Sequence, residues 1–315
     1  MSKLLCATDL LPKSDAAVDR AGMLAEQLNA ELSMVHVVPA VTEQNLEQSL
    51  RAAILGMKRR TGARQWRFGP APNVAVRAGN PRRLLLDTIS ELQPDLVIVG
   101  PHSKRAVRDV LEGTLTERLL SARQCPLLLV RNPVVQPYRD VLLALDLSDV
   151  FDAAVKAGEV LTAGSMEHAT ILHAHESPYQ GMLSYAGVDM DKADACMQDA
   201  RREAAAKVRD RLSQQVSDPS RYEVVIADAH PIPAILRTAK AFRPDLLVLG
   251  TNGRGRIRRA LLGSVASRLL HAVDCDVLIV PAVADTADTD VAVDISKRSA
   301  SAGVGRRSDR RSAAS

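Results

Sequence analysis

Short apolar runs alternate along the chain with longer stretches in which alanine and leucine recur among charged side chains. The runs are LLCATD (4–9), LSMVHVV (32–38), NVAVRAG (73–79), DLVIVG (95–100) and PLLLV (126–130). They recur as VLLALD (141–146), ATILHAH (169–175), YEVVIAD (222–228), DLLVLG (245–250) and DVLIV (276–280). Runs this short and this apolar predict strands buried on both faces. The intervening segments predict helices over about 14–29, 43–61 and 114–123 in the first half, and over 149–163, 190–216 and 264–273 in the second. Two more helices start at Pro81 and Pro231, where a proline suits the first turn. Strands alternating with helices predict doubly wound parallel α/β packing with right-handed crossovers.

The pattern is written twice. Residues 94–133 align with 244–283 at a constant offset of 150, pairing Pro94 with Pro244, Asp95 with Asp245, Gly100 with Gly250, Gly113 with Gly263 and Cys125 with Cys275. The starts of the halves match at another offset, KLLCATDL (3–10) with DVLLALDL (140–147), so the second copy carries an insertion in its first half. Two five-stranded domains follow, 1–133 and 139–283, with a proline-containing linker at 131–139. A tail over 284–315, rich in Asp, Ala, Ser and Gly and carrying RRSDRR, is expected to be disordered. The last strands of the halves, PLLLV and DVLIV, are expected to pair within the chain as a pseudo-dimer that covers two sheet edges, with homodimerisation as a further option.

Composition narrows this only a little. Aromatics make up 3% of the 315 residues against 46% apolar, so the core is aliphatic, and a net charge of +4 does not by itself predict a polyanion partner. No apolar run reaches the roughly 20 residues a membrane helix needs, and the first fifteen residues turn polar too soon for a signal peptide. The expectation is a cytoplasmic protein without a membrane partner. The four cysteines show no C-x-x-C spacing and are expected to be reduced thiols. His173 and His175 form an H-x-H pair on one strand face, a geometry that suits a metal. No third ligand is evident, and a packed or hydrogen-bonded role is the expectation.

The stretch with distinctive chemistry is GTNGRGRIRRALLGS (250–264). It follows the fourth strand of the second half, where ligands of open parallel sheets bind. Gly253 and Gly255 permit positive φ and close backbone approach. Successive N–H groups can form an anion nest, Gly263-Ser264 opens a helix whose first amides face outward, and Arg254 and Arg256 can neutralise charge. Asp146, ending the first strand of that half, can accept hydrogen bonds from ribose hydroxyls. RGRIRR lacks the interleaved aromatics of a stacking platform, so nucleic acid is not the expected partner.

Gly250-x2-Gly253-x9-Gly263-Ser264 resembles the G-2x-G-9x-G-[S/T] motif of the universal stress protein family, and the resemblance spans both halves. It implies a Rossmann-like fold of the adenine nucleotide alpha hydrolase type and a site for ATP or AMP, with or without Mg. Carried onto this chain, Asp146 would hold ribose or adenine, the Ala174 backbone would meet the adenine edge, and Gly250, Gly253, Gly263 and Ser264 would hold phosphates, followed by Val265 and Ala266. The first half keeps Asp9, Val37, Gly100, Gly113 and Thr114, but Ser103 replaces the second glycine and Pro101 is expected to remove an N–H donor from the nest. The second half is therefore expected to bind nucleotide and the first weakly or not at all. No nucleophile–base pair stands out, so no catalytic residue is assigned. The alternatives are a scaffold or dimerisation module with empty or non-nucleotide sites, and a weak ATPase or autokinase.

Overall fold

The computed structural model describes residues 1–39, 43–62, 66–100, 125–175, 190–251, 264–270 and 272–281. The first half runs β1 (Lys3–Ala7), α1 (Asp15–Leu28), β2 (Glu31–Pro39), α2 (Glu43–Thr61), β3 (Asn73–Gly79), α3 (Pro81–Leu92), β4 (Leu96–Val99) and β5 (Leu127–Leu129). The second runs β6 (Asp140–Ala144), α4 (Val150–Thr162), β7 (His168–His175), α5 (Met190–Ser213), β8 (Tyr222–Asp228), α6 (Pro231–Phe242), β9 (Leu246–Gly250), α7 (Ser264–Leu269) and β10 (Asp276–Val280). The expected strands are all present. Two helices are shorter than the sequence pattern suggests. α5 closes in a turn in which the Gln215 and Val216 amides both reach the Leu212 carbonyl. After α7 the chain turns back through Val273 N–H to the Leu269 carbonyl. The predicted helix over 114–123 and the tail over 284–315 lie outside the described residues.

The ten strands form one sheet in the order β3-β2-β1-β4-β5-β10-β9-β6-β7-β8. Every pair inside a half is parallel. The halves join through antiparallel β5 and β10, with Val277 opposite Leu129, Leu278 opposite Leu128 and Ile279 opposite Leu127. This is the pairing expected of PLLLV and DVLIV, and it leaves β3 and β8 as the outer edges. Strand order reverses between β1 and β4 and between β6 and β9, so each half has a crevice at that point, outside the carboxyl ends of its strands.

Alternation along the strands feeds two buried layers. Leu4, Cys6, Ile98, Leu128, Leu143, Val248 and Leu278 pack beneath α1, α2, α4 and α5. Leu5, Val97, Leu127, Leu142, Leu247, Val277 and Ile279 pack beneath α3, α6 and α7. Both layers run unbroken across the β5–β10 seam. The helices are cut to length by their ends. Asn80 Oδ1 accepts the Arg83 N–H at the start of α3, and His230 Nδ1 accepts the Ile232 N–H at the start of α6. Residues in the left-handed region stop α1 at Asn29, α3 at Gln93, α4 at Ala163 and α6 at Arg243.

The 131–139 segment, which reads as a plain linker, is sewn into the seam. Asp276, at the start of β10, accepts the Arg131 N–H at 2.8 Å, the Asn132 N–H at 3.2 Å and the Tyr138 hydroxyl at 2.6 Å. Arg20 of α1 lies 3.8 Å from the same carboxylate and 3.8 Å above the Tyr138 ring, and donates to the Gln136 carbonyl. Burial, then the neighbouring Asp276 charge, pushes the Tyr138 hydroxyl well above its ordinary pKa. At the repeat-equivalent position the first half has Pro126, so it has no counterpart of this aspartate.

The thiols behave as the spacing suggests. Burial pushes Cys6, Cys125 and Cys275 each up to about 12, while Cys196 is exposed on α5. Since the thiolate is the reactive form, one thiol per native chain should be alkylated rapidly at pH 8 and the other three only on unfolding. Mass mapping of iodoacetamide-labelled peptides checks this; fast labelling of Cys275 would contradict the burial.

Candidate functional site

In the second half the crevice is a defined cleft of about 160 Å³. Its floor is the carboxyl ends of three strands: Ala144–Asp146 after β6, Leu172 and Ala174 of β7, and Leu249–Thr251 of β9. Its walls are first turns of helices, namely Val150 and Phe151 of α4, Pro231 and Ile235 of α6, and Val265 and Ala266 of α7. Asp146 is the one charged side chain among these lining residues. Pockets for whole drug-sized ligands run to roughly 300–1,000 Å³, so this cleft suits one flat, apolar-faced ring rather than an entire nucleotide.

Nine of the fourteen predicted site residues lie among the described residues. Asp146 is half-buried, and Ser148 donates to its Oδ1 from both its N–H and its hydroxyl, which holds the carboxylate at the mouth and leaves Oδ2 for a ligand. Gly250 ends β9, where a Cβ would sit 3.0 Å from Val150 Cγ1. What the position demands is room for close packing against α4. Val265 and Ala266 are brought to the cleft by α7, which begins at Ser264. Gly253, Arg254 and Gly263, like Gly113 and Thr114 of the first half, lie outside the described residues.

Ala174 is placed by strand register. The last β6–β7 pair is Ala144 with Leu172, and the Leu145 N–H still reaches the Leu172 carbonyl at 3.0 Å. In a parallel ladder the N–H and C=O of alternate residues face the same neighbour. The backbone groups of Ala174 therefore face the β6 side, beyond that strand's last pair, in the cleft. His173 is buried, and its Nδ1 meets the Leu145 carbonyl at 3.0 Å. A carbonyl only accepts, so this nitrogen carries the proton. This hydrogen-bonded role is the one expected of the H-x-H pair, and no cluster of three or more His, Cys, Asp or Glu among the described residues is arranged to hold a metal.

The first half repeats the frame with different contents. Asp9 Oδ1 accepts the Leu11 N–H at 2.9 Å and the Ser14 hydroxyl at 2.5 Å, and Ser14 is fully buried. A Cβ on Gly100 would lie 3.0 Å from Ser14 Cα, so this serine sits tight against the end of β4. Val37 of β2 lies two past Val35, the last β1 partner, as Ala174 lies two past Leu172. Thr251, the repeat partner of Pro101, spends its N–H on the Val280 carbonyl at 3.0 Å, in the β9–β10 ladder. Pro101 itself lies outside the described residues.

Several cleft residues gave no signal in the sequence. Phe151, Val150 and Ile235 read as ordinary core positions, and Ser148 as loop. Phe151 offered one clue, being one of three phenylalanines in the chain.

Comparison with known proteins agrees with this architecture. Universal stress protein A homolog 2 of Coxiella burnetii is 31% identical over 147 residues, covering 45% of this chain and 94% of its own. The Mycobacterium tuberculosis universal stress protein Rv2005c is 23% identical over 194 residues, covering 59% of this chain and 62% of its own. Among solved structures, a universal stress protein from Archaeoglobus fulgidus superposes with a TM-score of 0.60 at 15% identity, covering 89% of this chain and 98% of its own. The model of the universal stress protein family matches twice, over residues 1–131 and 137–281. With the motif, the doubled fold and the two matches in agreement, this chain belongs to the universal stress protein family, with two copies of its domain in tandem.

Proposed function

We propose that the protein binds an adenine nucleotide, ATP or AMP, in the cleft of its second half, as a cytoplasmic stress-response protein whose ligand biases conformation or partner contacts rather than being turned over. The observation that carries this reading is the juxtaposition in one cleft of an apolar slot, the backbone pair of Ala174 and the carboxylate of Asp146. A backbone N–H and C=O side by side match the acceptor and donor on the edge of adenine. Asp146 would accept from ribose hydroxyls, and the phosphates would run towards Gly250, Gly253, Arg254, Gly263 and Ser264 at the start of α7. Mg would ride on the phosphates, since Asp146 is the one carboxylate among the described lining residues. In the first half Asp9, Val37, Gly100, Gly113 and Thr114 keep the outline, with weak binding or none. A second copy of the chain would have to dock elsewhere than on β5 and β10, which already pair with each other. No helix among the described residues is long and apolar enough to cross a membrane.

The identity of the ligand is tested by mass spectrometry of small molecules released from protein purified without added nucleotide. The expected result is an adenine nucleotide near one per chain. Consistent release of a different ligand class would overturn the reading.

A further inference from the structure

We propose that His173 is the positioning residue for the base, and that it acts by ending the β6–β7 ladder one hydrogen bond early. This rests on the adenine reading of the cleft. A parallel ladder that has given the Leu145 N–H to the Leu172 carbonyl would next give the Leu145 carbonyl to the Ala174 N–H. Instead that carbonyl takes the His173 ring at 3.0 Å. The side chain thus takes the place of the next backbone donor, and the Ala174 N–H and C=O stay turned towards the cleft.

The first half contains the same device. The Thr8 N–H reaches the Val35 carbonyl at 3.0 Å, and the Thr8 carbonyl meets His36 Nδ1 at 2.8 Å where the Val37 N–H would follow. The duplicated halves have diverged around Asp9 and Asp146, yet both place a histidine one residue before the strand position whose backbone is left over. A histidine suits the task because its ring reaches back to the neighbouring strand's carbonyl while its own backbone keeps pairing with the outer strand, His173 with Ile226 and His36 with Val76.

The test uses the full chain with His173→Leu, which removes the donor, and His173→Gln, which keeps one. In the unliganded protein, hydrogen exchange at the Ala174 amide should slow at least tenfold in His173→Leu, as that N–H closes on the Leu145 carbonyl, and should return towards the wild-type rate in His173→Gln. In the same Leu variant, AMP affinity should fall about tenfold, the loss of one or two hydrogen bonds. Its preference for AMP over GMP should fall with it, and affinity for inorganic tripolyphosphate should stay within twofold. His36→Leu should slow exchange at Val37 and leave AMP affinity unchanged. Unaltered exchange at Ala174 together with an unaltered AMP-to-GMP ratio, in a variant whose circular dichroism shows it folded, would overturn the proposal. If the wild type binds neither nucleotide, the adenine assignment falls, and Ala174 exchange then decides by itself whether His173 ends the ladder.

Discussion

Asp276→Ala is expected to lower the unfolding free energy by about 3–5 kcal/mol, the range for removing one partner from a buried charge pair. Asp276 is 1% exposed and faces four groups from two parts of the chain: two amides and the Tyr138 hydroxyl of the linker, and the Arg20 guanidinium of α1. Its loss removes the ion-pair partner of Arg20, itself 6% exposed at the side chain, beside the β5–β10 seam, where Asp245 remains as an acidic neighbour. Tyr138→Phe removes one donor, leaves the charge pair in place and should cost less, about 1–3 kcal/mol. Urea unfolding read by circular dichroism measures both. A loss below about 1 kcal/mol for Asp276→Ala would mean that water replaces the carboxylate and the latch is a surface feature. The latch also bears on how the halves act together. Both hydrophobic layers are continuous across the seam, so the halves share one core.

Asp146→Ala is expected to weaken AMP or ATP binding by roughly ten- to a hundredfold, the value of a hydrogen bond to a charged group. Asp9→Ala should change it less than twofold. The two aspartates end equivalent strands, so the contrast is one of surroundings. Both hydrogen bonds to Asp146 from described residues fall on one oxygen and come from the nearby Ser148, in a cleft walled by Val150 and Phe151. Asp9 is bound by the buried Ser14, which occupies the space beside Gly100. Replacing Asp9 disturbs an internal contact, whereas replacing Asp146 removes a group that lines the cleft. Equal losses in both variants would show that the halves share the work, against the asymmetry argued above.

The repeat made most of the fold legible. A gap-free offset of 150 and ten short apolar runs specify two parallel sheets, and the exposed edges of the last strands imply their pairing. The residues gathered in the cleft were legible for the same reason. Asp146, Ala174, Gly250, Val265 and Ala266 stand at strand ends or at the start of a helix, where periodicity and motif spacing locate them. What was hidden depends on contacts between distant parts of the chain. Asp276 reads as the first residue of a strand, and only the approach of Arg20 and Tyr138 makes it a latch. Ser14 reads as a helix-start serine, and its hold on Asp9 follows from a turn in which Leu10 takes a positive φ. For His173 the sequence pointed to a packed or hydrogen-bonded role, but only the fold shows that the partner is the Leu145 carbonyl.

The most direct measurement is calorimetric titration of AMP and ATP into the intact chain, freed of copurified ligand, beside the Asp146→Ala and Asp9→Ala variants. The account predicts one nucleotide bound per chain, lost or strongly weakened in Asp146→Ala and retained in Asp9→Ala. Two equivalent sites, or affinity unchanged in Asp146→Ala, would contradict it.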